Sequence, residues 1–525
     1  MTGLRRRALL RALLGTAVAG TVAGCNDGGG DPGTGANPDD STDGTPTGVP
    51  PGSPAPTAPP SAATATSTPS PTATLPPPSP ADTPTPSSSP TPSPSPTLSP
   101  SPTQSPTPDR QTRTAREFVG RLAAGEFAGA HDLLTDDYAS DLTPVKLERY
   151  WLGLTAQHGA FERVAGTERG RRDGAETVVA RVACGQGTGR VELAVLADGV
   201  DALWFPATYS PPDYVDRSAF TERDLVVDAE GCSLPATLSV PDATDESGTA
   251  TPAASPPGAV LVHGSGQADR DETVGPNKPL RDLAWGLASR GVAVLRYEKR
   301  TAQCDVPLSD WGVDHVVVDD AVRALARLRD TGDVDPAGTV VVGHSLGGTC
   351  TPRILARDGD AAGGAMLAAN ARPITEVSMD QVRHYYEIPD GISVLEQRRI
   401  DRLRAAFDRL EAGGYAPDRV VEGFPASWWT SLLEYDQVAT AQSVDVPLFL
   451  AQGGRDFQVL ADADFGRWRS VLADRADTRF ERYPALSHLF HPGTAPSLRE
   501  EYTFHDNVVE SLVADLAEWI RDAVG

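Results

Sequence analysis

The chain has 525 residues, with 46 Lys and Arg against 71 Asp and Glu and a formal net charge of -25 at pH 7. That length allows two or more domains, and so large an acid excess excludes the basic footprint of a nucleic-acid-binding protein. Lysine occurs only at Lys146, Lys278 and Lys299, so nearly every cationic side chain is arginine. An acidic, lysine-poor surface fits a salt-rich habitat, where carboxylates hold water and salt screens their repulsion; a GC-rich genome would favour arginine equally.

At the start of the chain Arg5, Arg6, Arg7 and Arg11 flank an apolar run from about Ala12 to Ala23, which ends in Val22-Ala-Gly-Cys25. A basic start, a short apolar run and small residues predict a secretory signal over 1–25, too short for an ordinary membrane span. Cys25 after small residues resembles a lipobox, in which the cysteine is lipidated, and the consecutive arginines resemble a twin-arginine signal. Residues 26–110 alternate Pro, Ser and Thr and hold almost no apolar side chains, so they cannot offset their ordering entropy. The expectation is a disordered stalk that holds a globular part at the outer face of the cell membrane, tethered through a lipid on Cys25.

Residues 111–208 predict a small α+β unit. Phe118, Leu122, Phe127, Ala130 and Leu133-Leu134 fall at helical spacing, as do Val145, Leu147, Tyr150-Trp151 and Leu154. Alternating runs follow at Thr177–Ala183 and Arg190–Leu196. Helices first and hairpins after imply one curved antiparallel sheet wrapped on helices. The order is similar to small cone-shaped domains of the nuclear transport factor 2 or cystatin type.

From 222 to 525 strands alternate with helices. Leu225–Asp228 and Leu234–Val240 predict an opening antiparallel pair. Strands follow at Ala259–Gly264, Val292–Tyr297, Thr339–Val342, Gly364–Ala369, Val446–Leu450 and Arg479–Tyr483, with helices at Leu283–Arg290, Val316–Leu328 and Val508–Ala523. Near-continuous apolar strands predict a mostly parallel sheet covered on both faces. A helical stretch over about 375–438 interrupts the alternation and reads as a cap over the strand ends. Cys184, Cys232, Cys304 and Cys350 form no C-x-x-C and no zinc spacing. Export would permit a disulfide, but the spacing assigns none, and Cys350 reads as a buried apolar residue.

The chemistry concentrates at Gly343-His-Ser-Leu-Gly347, where a β-branched run turns sharply into a helix. That is the context of a nucleophile elbow, with Ser345 as nucleophile and glycines two places to either side. A Ser hydroxyl needs a base, and the base needs an orienting acid. After Ser345 come His384, His488, His491 and His505. His488, in the loop after Arg479–Tyr483, is the expected base and His491 its rival; His344 reads as structural. Asp456, in the loop after Val446–Leu450, is the expected acid. Asp445 precedes that strand, and Asp462 and Asp464 fall in the next helix. The Leu346 amide is one expected oxyanion donor, and the turn His263-Gly-Ser-Gly266 supplies the other, Ser265 in preference to Gly264. Phe424, Trp428 and Trp429 are candidate pocket residues that serve equally as core.

The motifs His263-Gly-Ser-Gly266, Asp269-Arg-Asp271, Gly275-Pro-Asn-Lys-Pro279, Arg281-Asp-Leu-Ala-Trp285, Arg296-Tyr-Glu-Lys-Arg300, Gly343-His-Ser-Leu-Gly-Gly348 and Ser487-His-Leu-Phe490 resemble those of bacterial EstD-type carboxylesterases. That group lies near the dienelactone-hydrolase and serine-aminopeptidase-like branches of the α/β-hydrolases. The resemblance implies an α/β-hydrolase fold with a helical cap and hydrolysis of small, short-acyl esters without metal or cofactor. A peptidase on the same fold is the alternative; it would need an anchor such as Glu387, Glu434 or Asp436. A non-catalytic binding lipoprotein is the third reading, against which Ser345, Asp456 and His488 stand together. Acyl transfer and oligomeric state stay open.

Overall fold

A computed structural model describes residues 109–242 and 255–525. The expected signal, Cys25 and the stalk lie outside them. The first described elements are α1 (Arg110–Ala123), α2 (Phe127–His131), α3 (Asp136–Ala139) and α4 (Pro144–His158), followed by β1 (Phe161–Arg172), β2 (Ala175–Cys184), β3 (Gly187–Val195) and β4 (Val200–Trp204). The four strands form an antiparallel sheet in sequence order. The Asp109 side chain accepts from Thr112 N–H and caps α1. Ala115, Phe118, Val119 and Leu122 of α1 pack on Val178, Ala180 and Val182 of β2 and on Val191, Leu193 and Val195 of β3. The strand residues recur every second position, so one face of the sheet meets the helices.

The second sheet has eight strands: β5 (Phe220–Ala229), β6 (Cys232–Pro241), β7 (Gly258–Val262), β8 (Ala293–Tyr297), β9 (Thr339–His344), β10 (Gly363–Leu367), β13 (Leu448–Gly453) and β14 (Thr478–Tyr483). They lie in the order β14-β13-β10-β9-β7-β8-β6-β5. The β5–β6 hairpin is antiparallel and joins the parallel strands along β8. Burial alternates between faces: Val260 and Val262 of β7 enter one core, Ala259 and Leu261 the other. Helices α6 (Asp319–Arg329) and α7 (Leu346–Asp358) cover the first face; α5 (Pro279–Ala288) and the last helix, Glu510–Val524, cover the second. The chain reverses its direction of build at β7, between β8 and β9. Such a switch point opens a crevice at the C-terminal strand ends, where ligands of open α/β sheets bind.

Between β10 and β13 the chain builds α8 (Ile374–Glu387), α9 (Val394–Glu411), the short pair β11 (Val420–Val421) and β12 (Phe424–Pro425), α10 (Ala426–Leu433) and α11 (Gln437–Ser443). β10 and β13 are nonetheless parallel neighbours, so the whole segment is an insertion between two adjacent strands. Ser393 and Glu396 form a reciprocal capping box that starts α9.

Cys232, at the start of β6, and Cys304, beyond β8, form a disulfide across a sequence separation of 72, while Cys184 and Cys350 are free and buried. Closing a loop of that length removes unfolded-chain entropy worth about 4 kcal/mol. Replacing both cysteines by Ser is therefore expected to lower the unfolding free energy by up to ~4 kcal/mol in a urea titration. An unchanged midpoint would show that the bond adds no stability.

Candidate active site

Ser345 is the single residue between β9 and α7 and sits at φ 52°, ψ -117°, a region non-glycine residues avoid. Its backbone is fixed from two sides: Ser345 N–H donates to Leu367 O at 2.8 Å, and its carbonyl accepts from Thr349 N–H at 2.9 Å. The flanking glycines are steric necessities. A Cβ on Gly343 would lie 2.2 Å from Gly347 O, and one on Gly347 would lie 2.3 Å from Val262 O.

His488 and Asp456 meet as a buried pair. His488 Nδ1 lies 2.7 Å from Asp456 Oδ2, and both side chains are almost wholly shielded from water. The other carboxylate oxygen, Oδ1, accepts from Gln458 N–H at 2.8 Å and Val459 N–H at 2.9 Å, while Gln452 Nε2 donates to Oδ2 at 2.8 Å. Asp456 is thus held by four donors and can only orient a ring that gives it a proton. Its loop is knitted to the His488 loop, because Gly454 N–H donates to Tyr483 O and Arg455 N–H to Leu486 O. Gly453 and Gly454 permit that approach: a Cβ on either would lie about 2.5 Å from carbonyls of the other loop.

The remaining candidates lie elsewhere. His491 has an unpartnered Nε2, and burial, aided by the charges of His505 and His344, drives its pKa down to about 3. His384 bonds to Ser497 O and stacks on Phe457; His505 meets Ser210. Asp464 accepts from Ala371 and Arg372 N–H and pairs with the Arg372 guanidinium, so it anchors the loop after β10. Asp445 is exposed ahead of β13. No hydrogen bond joins Ser345 Oγ to His488 among the described residues. The two are instead tied through His344, whose Nε2–H donates to His488 O at 3.0 Å; apo sites often leave this bond open until substrate arrives.

His344 and Glu272 form a buried link that sequence reasoning missed. Glu272 Oε2 lies 3.0 Å from His344 Nδ1, and its Oε1 accepts from Gly264 N–H at 2.7 Å. Both His344 nitrogens therefore face acceptors, which calls for the doubly protonated ring. Burial pulls the His344 pKa down, but the Glu272 charge and hydrogen bond and the His488 carbonyl outweigh it and leave the pKa raised. Burial likewise raises Glu272, and the facing histidines reverse that shift. Glu272 carried one faint signal, its place beside the Asp269-Arg-Asp271 motif.

The Gly264 amide is consequently occupied by Glu272, whereas Ser265 lines the same cleft as Ser345 and Leu346. In that turn Ser265 is the residue that lines the cleft with Ser345. Leu346 opens α7, where an N–H has no intrahelical acceptor. The cleft is partly open to solvent. Phe424, Trp428 and Trp429 line it; the two tryptophans are buried in the core and half-buried Phe424 stacks on Trp428 at 4.3 Å. The polar lining beyond the serines is Asn370, Gln381 and Gln458, and the aliphatic lining is Ile374, Val377 and Val459. No charged side chain lines it; Glu387, Glu434 and Asp436 are exposed elsewhere. Among the described residues no group of three or more His, Cys, Asp or Glu is placed to hold a metal ion.

The chain is 32% identical over 410 residues to the esterase EstD of Thermotoga maritima, a match that covers 77% of this chain and 93% of that one. No protein-family model matches it. Among solved structures it is similar to an esterase of Pyrococcus furiosus, at 14% identity and a TM-score of 0.37 over 61% of this chain and 97% of that one. It is also similar to a puromycin-hydrolysing peptidase of Mycobacterium tuberculosis, at 20% identity and a TM-score of 0.39 over 66% and 46%. TM-scores this low decide nothing between ester and amide.

The Glu272–His344 link is open to direct measurement. Because the pKa of His344 is raised above 6.5, a nitrogen-15 spectrum at pH 6.5 is expected to show both ring nitrogens predominantly protonated. Glu272→Gln should move that titration to lower pH. A neutral His344 ring at pH 6.5 would contradict the geometry.

Proposed function

The chain belongs to the EstD-type esterase family of the α/β-hydrolases and is a carboxylic ester hydrolase, and from that premise we propose that Ser345, His488 and Asp456 are its catalytic triad. The observation that carries the assignment is the 2.7 Å bond between buried His488 and an Asp456 saturated by other donors. Ser345 Oγ attacks the ester carbonyl as His488 Nε2 takes its proton, and Asp456 stabilises the imidazolium. The tetrahedral oxyanion is held by the amides of Leu346 and Ser265. Collapse expels the alcohol with the proton from His488. Water then enters by the same base and releases the acid, so no metal or cofactor is required.

The substrate we propose is a small, uncharged ester with a short acyl chain. A peptidase that grips an α-ammonium or α-carboxylate needs an opposite charge within reach, and the lining of the cleft supplies none. The Phe424–Trp428 stack gives the acyl group an apolar wall. We also propose that the enzyme is exported and tethered by a lipid on Cys25, with residues 26–110 as its stalk and 111–208 as a cone-shaped α+β domain. The Cys232–Cys304 disulfide supports export, since such bonds persist in oxidising compartments.

Three outcomes are expected. Ser345→Ala should fold normally and lose activity by at least ~10,000-fold, and a fluorophosphonate should label Ser345 in the parent; a label elsewhere rejects the nucleophile. On the parent, p-nitrophenyl acetate and butyrate should be cleaved far faster than aminoacyl p-nitroanilides, and the reverse order would favour the peptidase. For the tether, Cys25→Ser should release the enzyme from the membrane fraction or stall its processing. A Cys25→Ser protein that is processed and stays bound like the parent would rule out the lipid anchor.

A further inference from the structure

Lys299 is the buried member of the three lysines, only 4% exposed, while Lys146 lies in the open and half-buried Lys278 pairs with buried Asp271. Its Nζ donates to Gly264 O. That carbonyl belongs to the same peptide unit as Ser265 N–H. In a trans peptide the C=O and N–H point in opposite directions, so holding the oxygen inward aims the Ser265 N–H outward. Outward lies the cleft that Ser265 shares with Ser345 and Leu346. The preceding peptide is held as well, by Glu272 on Gly264 N–H at 2.7 Å. Gly264 itself leaves no slack, since a Cβ there would lie 2.6 Å from Glu272 Oε1 and 3.1 Å from Ser345 Cβ.

We propose that Lys299 is a positioning residue for ester hydrolysis: its ammonium fixes the Gly264–Ser265 peptide and polarises it, so that Ser265 N–H is a stronger donor to the oxyanion. The inference rests on the triad and oxyanion assignment above. A donor on the carbonyl draws electron density from the whole amide and strengthens its N–H, most of all where water is excluded. A compact ammonium suits a single carbonyl better than the fork of an arginine, which accounts for a lysine at this place in an arginine-dominated chain. The charge is not cancelled by a close ion pair. The groups that act on it are Glu272, Asp320 on α6, Cys350 on α7 and His263 at the end of β7. Asp320 is already engaged by Arg300 at 2.5 Å, and His263 is neutral because burial and Lys299 push its pKa down to about 4.

The proposal has a pH signature. Burial, opposed by Glu272, Cys350 and Asp320, brings Lys299 down to about 8. The ammonium is present below that pH and lost above it, so kcat should fall on the alkaline side of about pH 8. The test is Lys299→Met, which keeps the length and removes the charge, assayed on p-nitrophenyl butyrate from pH 6 to 10. We expect kcat to fall about 10- to 100-fold at pH 7, KM to change little, and the alkaline limb of the parent to vanish. Affinity for an aryl trifluoromethyl ketone, which forms an oxyanion on Ser345, should fall by the same factor as kcat. A folded variant with kcat within about twofold of the parent, or with the alkaline limb intact, overturns the proposal. If the variant does not fold, the parent decides: a kcat limb between pH 7 and 9 supports the role, and its absence overturns it. Fluorophosphonate labelling of Ser345 in the parent separates failure of this inference from failure of the triad assignment.

Discussion

The backbone of Ser345 is the constraint on which the rest of the site depends. A non-glycine residue at φ 52° costs about 1–3 kcal/mol and persists only where its surroundings leave no alternative. Here the surroundings are β7, β9, β10 and α7 together. Gly347 at the start of α7 presses on the carbonyls of Val262 and His263 at the end of β7, and Leu367 at the end of β10 takes the Ser345 N–H. The elbow therefore fixes the separation between its own helix and the turn that begins at His263. Ser345 and the turn that carries Ser265 are set by one steric contact instead of by two independent loops.

Glu272 extends that contact into a network of charges. One oxygen holds the Gly264 amide and the other holds His344, which in turn holds the carbonyl of His488. A single carboxylate thus joins the Gly264 turn, the end of β9 and the His488 loop. The ion pair is buried, and breaking such a pair by removing one partner is strongly destabilising, because the other charge is left without compensation. Each of the three segments is thereby held against the other two.

Local pattern carried the legible part of this architecture. The elbow, the apolar strands, Asp456 and His488 are readable because each is placed by its order along the chain and by the strand just before it. β1 is not legible, since Phe161–Arg172 is rich in charge and lies on an edge with no fully buried residue, which hides the alternation. β13 starts later and runs further than its apolar run suggests, to Gly453, because the parallel pairing with β14 continues past the hydrophobic residues. The roles of Glu272 and Lys299 were hidden for a different reason. Each holds a backbone atom of Gly264, and nothing in residue type or spacing marks a main-chain donor or acceptor in a distant turn. The Cys232–Cys304 pairing was equally out of reach, because four cysteines without a motif fit several pairings.

The small α+β unit bears on the same loops from outside. Arg149 on α4 pairs with Glu500 at 2.7 Å and donates to the Ile388 carbonyl at the end of α8, so one guanidinium holds both the cap and the segment that follows His488. Glu501, next along, pairs with Arg455 at 2.6 Å, and Arg455 is the neighbour of Asp456. Phe504 completes the small unit's own core beside Phe205. Gly153 on α4 allows this closeness, as a Cβ there would lie 2.8 Å from the Glu500 backbone. The unit and the base loop share one set of buried contacts. Removing residues 109–208 would therefore expose Phe504 and leave Glu500 without its cation, within a few residues of the segments that set the His488–Asp456 geometry.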